Sequence, residues 1–230
     1  MEKIVVLTGA GISAESGIKT FRDSDGLWEN HAIEDVATPE GYRKNPSLVL
    51  KFYNERRRQL FDVLPNAGHK ALVELEKNYQ VTIITQNVDD LHERAGSKKI
   101  IHLHGELRKS RSSRNPHLVY DCLNDINLGD KAADGTQLRP NIVWFGEDVP
   151  MIQYAAAAVS EASIVIVIGS SMQVYPAAGL VGYAHGQAKI YYVDPKPALN
   201  HELKIRKNLH IIAEPATTGV RKVVDELLKD

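Results

Sequence analysis

His104 closes the apolar run Ile100-Ile101-His102-Leu103 and is followed at once by Gly105. An unperturbed imidazole titrates near about 6.5, so a histidine at the carboxyl end of a strand, beside a glycine that leaves space for a ligand, is placed to act as a general base. A structural histidine is the competing reading. Among nine histidines this one alone has that placement, and His102 is expected to point to the opposite face. Asn87 and Asp89 follow a second apolar run, Val81–Ile84, where an α/β sheet presents its ligands. An Asx turn capping a helix that starts near Val88 explains them equally well. A third candidate is the loop after Lys3–Leu7, Thr8-Gly9-Ala10-Gly11-Ile12-Ser13-Ala14, with a Gly-x-Gly-x-x-Ala pattern. Gly9 permits a tight turn, and Gly11 lets backbone amides approach a pyrophosphate at a positive helix end. That is dinucleotide chemistry. The usual continuation fails, however, because a dehydrogenase places a second strand ending in an acidic residue roughly 20 positions later. Here Thr20 to Trp28 reads as a loop with nothing strand-like in it.

The elements that must position these residues alternate. Ile4–Leu7, Val81–Ile84, Ile100–Leu103, Ile164–Ile168 and Ile190–Val193 are short, β-branched and nearly all apolar, as strands covered on both faces are. Helical stretches are predicted at 67–77, 88–95, 151–162 and 176–185. The alternation implies an α/β fold with a doubly wound, parallel, Rossmann-like sheet whose ligands lie at the carboxyl ends of its strands. Two stretches break the rhythm, and they read as insertions that build a small lobe. One covers about 21–64 and is helical; the other covers about 108–139 and is rich in Ser, Asn, Asp and Gly. The Rossmann-like core is then about 1–20, 65–107 and 140–230 within one catalytic domain. No repeat or low-complexity segment is visible.

Composition sets outer limits. With 43% hydrophobic and 25% charged residues, the 230-residue chain has the balance of a soluble globule. A formal charge of -1 gives no overall pull toward nucleic acid or an anionic membrane. Met1-Glu2-Lys3 leads straight into a short strand, unlike a signal peptide, and Ile164–Ile168 is far too short to span a bilayer. A single cysteine, Cys122, excludes an intramolecular disulfide and a cysteine-rich metal site. The expectation is a reduced, cytoplasmic protein.

Gly9-Ala10-Gly11-Ile12-Ser13, then Ser16-Gly17-Ile18 and Thr20-Phe21-Arg22 through to Trp28, resemble the cofactor-binding loop of the sirtuin family. Further matches follow in the same order: Thr85-Gln86-Asn87-Val88-Asp89, His102-Leu103-His104-Gly105-Glu106, Trp144-Phe145-Gly146-Glu147 and Gly169-Ser170-Ser171. The resemblance covers nearly the whole chain. It implies an NAD-consuming protein-lysine deacylase. Gln86, Asn87 and Asp89 line the nicotinamide pocket, and His104 is the catalytic base. In the implied reaction the acyl oxygen of the substrate lysine attacks C1′ of the nicotinamide ribose as nicotinamide departs. His104 then takes a proton from a ribose hydroxyl, which attacks the amidate carbon. Free lysine, nicotinamide and acyl-ADP-ribose result. By the same resemblance Val143, Phe145, Gly146, Glu147 and Val174 hold an extended substrate peptide through backbone hydrogen bonds, a mode tolerant of sequence. Asp194, where many relatives have asparagine, accepts from ribose hydroxyls, and Ala216 lies near the adenine.

Asn45-Pro46 reads as a helix start, with Asn as cap and Pro at the first helical position. On that helix Val49, Phe52, Tyr53, Leu60 and Val63 form one stripe, with Arg56 in its middle, Arg57 on its flank and Arg58 opposite. Arg56 is read either as a snorkelling or carboxylate-paired arginine, or as a guanidinium that grips an anionic ligand together with the Tyr53 hydroxyl. Tyr-x-x-Arg at this place resembles the sirtuins that remove succinyl, malonyl and glutaryl groups, and Gly41 holds a position that is small among them, leaving room for a longer acyl chain.

Most sirtuins ligate a structural zinc with two Cys-x-x-Cys pairs between the catalytic histidine and the Phe-Gly-Glu segment. This chain has only Cys122 there, and His117 and Asp121 do not complete a tetrahedral site with it. No zinc is expected. The lobe is then held by packing around Leu118, Val119, Tyr120 and Leu123, or is partly mobile. Three rivals stand beside the deacylase: an NAD glycohydrolase or ADP-ribosyltransferase, a non-catalytic NAD or ADP-ribose sensor, and a plain dehydrogenase.

Overall fold

A computed structural model describes residues 1–19, 27–28 and 30–229. In chain order its elements are β1 (Lys3–Thr8), α1 (Gly11–Ala14), β2 (Leu27–Trp28), β3 (His31–Ala32), α2 (Ile33–Val36), α3 (Pro39–Lys44), α4 (Pro46–Asp62) and α5 (Ala67–Leu75). Then come β4 (Gln80–Thr85), α6 (Leu91–Ala95), β5 (Ile100–His102), β6 (Gly105–Ser112), β7 (Val119–Asp121) and β8 (Leu138–Ile142). The chain ends through α7 (Ile152–Ser160), β9 (Ile164–Ile168), a 3₁₀ segment (Ala177–Tyr183), β10 (Lys189–Val193), α8 (His201–Lys204), β11 (Leu209–Ile212) and α9 (Ala216–Leu227).

Six parallel strands form one sheet in the order β11-β10-β9-β1-β4-β5. This is the doubly wound arrangement, with the crossover reversing on either side of β1. The order also explains why no acidic strand end follows the glycine loop at the usual distance. The strand next to β1 on that side is β4, and a helical lobe is inserted before it. Contrary to expectation the 20–28 interval is not wholly without strand, since Leu27 and Trp28 pair antiparallel with His31 and Ala32.

The apolar strand runs are buried because both sheet faces are covered. Ile4, Val6, Ile83 and Ile166 pack under α5 and α9, while Val5, Leu7, Val165 and Val167 pack on the other side under α7 and the 3₁₀ segment. The helix α9 and the strand β11 are additions to the elements read from sequence. Val220, Val223, Val224 and Leu227 of α9 are buried at helical spacing.

The second sheet, β7-β6-β8, is antiparallel and grows directly out of β5 through Gly105. Its first strand was not expected, because Gly-Glu-Leu-Arg-Lys-Ser-Arg-Ser carries one apolar residue. The packing anticipated for this lobe is also corrected: Val119 and Leu123 are exposed. Leu50, Cys122 and Ile126 form the small apolar centre instead, with Tyr42 and Leu138 against it. Polar bonds complete it. Ser112 Oγ donates to Asp134 at 2.7 Å and accepts from the amides of Arg114 and Asn115 at 3.0 and 2.8 Å. Asn54 of α4 clasps Ile126 from both sides, through its carbonyl and its amide, at 2.9 Å each.

Helix α4 starts as its sequence predicts, with the Asn45 side chain accepting from Leu48 N–H at 3.1 Å. Its buried stripe is rotated from the expected one. Arg57, not Arg56, sits at the centre, 1% exposed beside Tyr53 and Leu60. Its Nε donates to the Leu107 carbonyl at 2.7 Å, and its NH1 to Asn54 at 2.8 Å and the Asn124 carbonyl at 3.3 Å. A buried guanidinium is costly unless its protons find acceptors; the bonds to the Leu107 and Asn124 carbonyls fasten α4 to β6 and to the 122–126 loop, while Nη2 is left without one. No helix among the described residues is long and apolar enough to cross a membrane.

Candidate active site

The carboxyl ends of β1, β4, β5, β9 and β10 converge, and the predicted site residues lie on the loops that leave them. The tightest junction is between the first glycine loop and the loop after β9. Gly11 N–H donates to the Gly169 carbonyl at 2.8 Å, and a Cβ on Gly11 would stand 2.5 Å from Gly169 Cα. Gly169 has φ +59, and its own Cβ would meet Ile12 N at 2.4 Å. These glycines are therefore required by backbone meeting backbone. This corrects the simple phosphate-cradle reading of Gly11, whose amide is committed inside the protein. Helix α1 is also a single turn, too short for a strong terminal dipole.

Around that junction a polar network is closed. Asn87 Nδ2 donates to the Gly9 carbonyl at 3.1 Å and lies 3.2 Å from Ser13 Oγ. Ser13 Oγ in turn donates to Asp89 at 2.9 Å, and Asp89 also accepts from Leu91 N–H at 3.1 Å. Asp89 thus closes an Asx turn onto Leu91, the first residue of α6, while facing the glycine loop. Burial pushes its carboxyl up to about 6, against the lowering effect of those two donors. Gln86 Nε2 reaches Ser170 Oγ at 3.2 Å, joining the ends of β4 and β9. Asp194, 2% exposed, accepts from Lys196 N–H at 2.8 Å. Ser171 follows Ser170 at the same sheet end, and Ala216 is buried where α9 begins, after β11.

His104 stands one residue beyond Leu103, whose N–H continues the parallel ladder to Thr85. Its Nδ1 is 3.0 Å from the Gln86 carbonyl oxygen. Burial lowers its pKa, partly offset by that bond. His102 does not turn to the opposite face, because residues two apart in a strand share a side. Its ring lies against the same 86–93 segment, with Nε2 2.6 Å from Glu93. Burial alone would lower its pKa, but the bond to Glu93 and that charge overrule it and raise it. The space expected beside His104 at Gly105 is taken by β8, since a Cβ there would stand 1.9 Å from the Asn141 carbonyl.

The 143–147 segment hangs from this histidine. Val143 N–H donates to the His104 carbonyl and Phe145 N–H to the Ala37 carbonyl, each at 2.9 Å. Gly146 turns the chain with φ +88, and Phe145 and Val174 are 44% and 37% exposed. The Glu147 carboxylate faces inward to Arg139 at 2.7 Å, Arg111 at 3.2 Å and the Trp144 amide at 2.8 Å. The amides of Val143, Trp144, Phe145 and Glu147 and one carboxylate of this segment are therefore used within the protein, which narrows what it lends to a peptide.

On α4, Tyr53 is fully buried and its hydroxyl accepts from the Trp144 indole at 3.0 Å. Trp28 packs edge-on against Phe52 and Tyr53, with centroids 4.9 and 6.0 Å apart, so it belongs with this helix. Arg56 faces elsewhere. It lines a cavity of about 380 Å³ between α4 and the β2–β3 hairpin, with Asn30, His31, Leu48, Lys51, Phe52 and Glu55, and Tyr53 is not on its wall. Its guanidinium lies over Phe52 at 5.1 Å, its Nε is buried without an acceptor, and no carboxylate among the described residues pairs with it. Gly41 is accounted for by packing, since a Cβ would meet the Glu34 and Asp35 carbonyls at 2.5 Å. Thr20, Phe21 and Arg22 lie outside the described residues. Among those described, no group of three or more His, Cys, Asp or Glu is placed to hold a metal ion.

Sequence reading quoted Trp144 only within the 144–147 match, and missed the buried pair His69 and His92, whose rings meet edge-on at 4.9 Å beneath the network. His92 Nε2 is 3.1 Å from Thr8 Oγ1.

A doubly wound sheet with serine, asparagine, aspartate and histidine gathered at its strand ends places these side chains where such folds bind their ligands. The chain belongs to the Sir2 family, whose profile it matches over residues 9–176. It is 58% identical over 229 residues to an NAD-dependent protein deacylase of Helicobacter pylori, covering 100% of this chain and 99% of the relative. It is 54% identical over 234 residues to an NAD-dependent protein deacylase of Bacteroides thetaiotaomicron, covering 99% of each. Among solved structures, a Sir2 homologue in complex with NAD superposes with a TM-score of 0.86 at 36% identity, covering 99% of this chain and 90% of that one.

Proposed function

We propose that this chain is an NAD-dependent protein-lysine deacylase that passes the acyl group to ADP-ribose with release of nicotinamide, and that it accepts succinyl and malonyl as well as acetyl groups. The whole chain acts as one catalytic domain, with the small lobe inserted into the Rossmann-like core. Bound NAD supplies an electrophilic ribose carbon, a leaving nicotinamide and a ribose hydroxyl.

The observation that carries the reading is the state of His104. A carbonyl oxygen only accepts, so Nδ1 facing Gln86 bears the proton and Nε2 has a free lone pair. Burial favours the neutral ring. A neutral imidazole of fixed tautomer is a base ready to take the hydroxyl proton. Asn87, Asp89 and Ser13 form a preset polar wall for the nicotinamide end, and Asp194 suits the adenosine ribose hydroxyls. Phe145 and Val174 offer exposed apolar surface for an extended acyl-lysine peptide. For the acidic acyl groups, support comes from Arg56, a guanidinium on a cavity wall without a carboxylate partner among the described residues. A single cysteine suits a reducing compartment such as the cytoplasm.

One peptide carrying acetyl-, succinyl- or malonyl-lysine, assayed with and without NAD, tests the reading. Arg56→Met should reduce desuccinylation and demalonylation roughly tenfold to a hundredfold, the worth of a charge-assisted bidentate bond, and leave deacetylation unchanged. Equal losses on all three peptides would remove the acidic-acyl preference and leave the deacylase.

A further inference from the structure

The loop between β4 and α6 alternates in what it touches. Asn87 and Asp89 turn toward the glycine loop, to the Gly9 carbonyl at 3.1 Å and to Ser13 Oγ at 2.9 Å. Val88 and Asp90 are held from the other side by β6. Leu107 N–H donates to the Val88 carbonyl at 2.8 Å, and Arg108 Nε stands 2.6 Å from Asp90 Oδ2. Odd positions face the glycine loop, and even positions are anchored to the small lobe.

Arg108 is itself seated. Its guanidinium carbon lies over the Phe61 ring of α4, 4.7 Å from the centroid, and its carbonyl accepts from Cys122 N–H at 2.8 Å. Asp90 has a second cation at its other oxygen, with Arg94 Nη1 at 3.6 Å from Oδ1. Arg94 in turn donates to the Leu60 and Val63 carbonyls, at 2.9 and 2.6 Å, where α4 ends. Both contacts to Asp90 are charge to charge, since neither Arg108 Nε nor Asp90 Oδ1 makes a directed hydrogen bond. The Arg108 and Asp90 side chains are 23% and 21% exposed, so water screens the pair only in part. A cavity of about 360 Å³ lies between β6 and the 88–93 segment, with Asp89, Asp90 and Arg108 on its wall. Behind Asp89, therefore, side chains do not fill the space, and the ion pair spans the gap.

We infer that Arg108 is a positioning residue: through Asp90 it fixes the 87–90 loop, and so the face that Asn87 and Asp89 turn to the nicotinamide end of NAD. This rests on the proposed reading of Asn87, Asp89 and Ser13 as the wall for that end. Arg108 acts through Asp90 and not on the reactants. Removing either partner of the pair frees the loop to shift, while His104 stays bonded to the Gln86 carbonyl one residue before it.

The test compares ligands that differ in the nicotinamide group. Nicotinamide as a product inhibitor reads the 87–89 wall, and ADP-ribose, which lacks that group, reads the rest of the cofactor site. Arg108→Met should raise the Ki for nicotinamide and the KM for NAD roughly three- to tenfold, the coupling expected between contacting charges. The Kd for ADP-ribose and the KM for an acyl-lysine peptide should stay as in the parent. Asp90→Asn keeps a helix-capping side chain and the contact of Arg108 with Phe61, and should give the same pattern even if Arg108→Met folds poorly. The double variant should add little to either single change, and Arg108→Lys, which keeps the charge, should recover most of the loss. ADP-ribose weakened as much as nicotinamide would show a general loss of structure and overturn the positioning role. So would an unaltered Ki in Asp90→Asn, or effects that simply add in the double variant. If Asp89→Asn also leaves the nicotinamide Ki unaltered, the wall reading falls along with the ion pair. A parent protein that releases no nicotinamide from NAD and acyl-lysine peptide would instead bring down the deacylase reading, and the proposal with it.

Discussion

The ring of His104 and the backbone carbonyl of Gln86 are held together at 3.0 Å across the ends of two neighbouring strands, β5 and β4. The register of those strands brings Thr85 opposite His102, which sets the next residues of each chain side by side. Nothing a side chain does can easily break this contact, because the acceptor is main chain. The consequence is a base whose tautomer is built into the sheet.

The pH dependence of kcat/KM follows from that contact. Burial lowers the His104 pKa, so the limb reporting the base should fall below the ordinary imidazole value, with activity retained as pH drops through about 6.5. His104→Ala should cost on the order of 10²- to 10⁴-fold in kcat and leave NAD-induced thermal stabilisation in place. An acidic limb centred above the ordinary imidazole value would contradict the buried neutral ring.

Asp89 should trade stability for function. Its carboxyl is raised from 3.8 to about 6, so the folded state holds this proton more tightly than the unfolded chain does. The stabilisation from the protonated form is fully present below 3.8 and is lost as pH rises through about 6. Asp89→Asn removes the buried charge, so it should raise stability at pH 7 by up to about 3 kcal/mol, with the gain vanishing near pH 4. Turnover should fall in the same variant. Denaturant titrations at the two pH values decide it; an Asn variant less stable at neutrality would refute the burial argument.

His69 and His92 act in the opposite sense. Burial lowers His69 from 6.5 to about 4 and His92 well below its ordinary value. Their neutral forms stabilise the fold above 6.5, and that contribution is lost as pH falls toward and through about 4. Both histidines therefore work toward destabilisation on acidification, against Asp89 and the raised His102. His69→Phe, apolar at every pH, should flatten the slope of stability against pH between 6.5 and 4.5 by about one proton's worth. An unchanged slope would mean that His69 titrates normally.

How much of this was readable from sequence depends on what each stretch buries. Ile164–Ile168 and Val81–Ile84 announce themselves because every residue is covered on both faces. Strand β6 does not, because its polar residues are paired within the fold: Lys109 with Glu106 at 3.0 Å, Arg108 with Asp90 at 2.6 Å and Arg111 with Glu147 at 3.2 Å. Asp90 and Glu147 lie on other elements, and Glu106 is three residues away on the same bulged strand, a spacing that strand periodicity does not reveal. The same blindness misplaced the stripe of α4. Side-chain type made Arg57 look peripheral, but its acceptors are the Leu107 and Asn124 carbonyls, which sequence cannot locate. The placement of His104, Asn87 and Asp89 just past strand ends was legible, because each follows an apolar run that the sheet buries. The spacing of Tyr53 and Arg56 suggested a pair, whereas the cavity wall takes only Arg56.

Arg57 and Asn54 tie the small lobe to α4 by hydrogen bonds. Arg57→Met should therefore lower stability by about 2–4 kcal/mol, since it leaves buried acceptors unpaired. A chelator should leave Tm unchanged, and elemental analysis should find well under one zinc per chain. A chelator-induced fall in Tm, or an Arg57→Met protein as stable as the parent, would contradict this account of the lobe.

The most direct measurement is the mass of the sugar product formed from NAD and an acyl-lysine peptide. The account predicts acyl-ADP-ribose, one equivalent of nicotinamide and free lysine on the peptide, with all three absent in His104→Ala. Plain ADP-ribose released at the same rate without any acylated peptide, or ADP-ribose attached to the peptide, would contradict a deacylase.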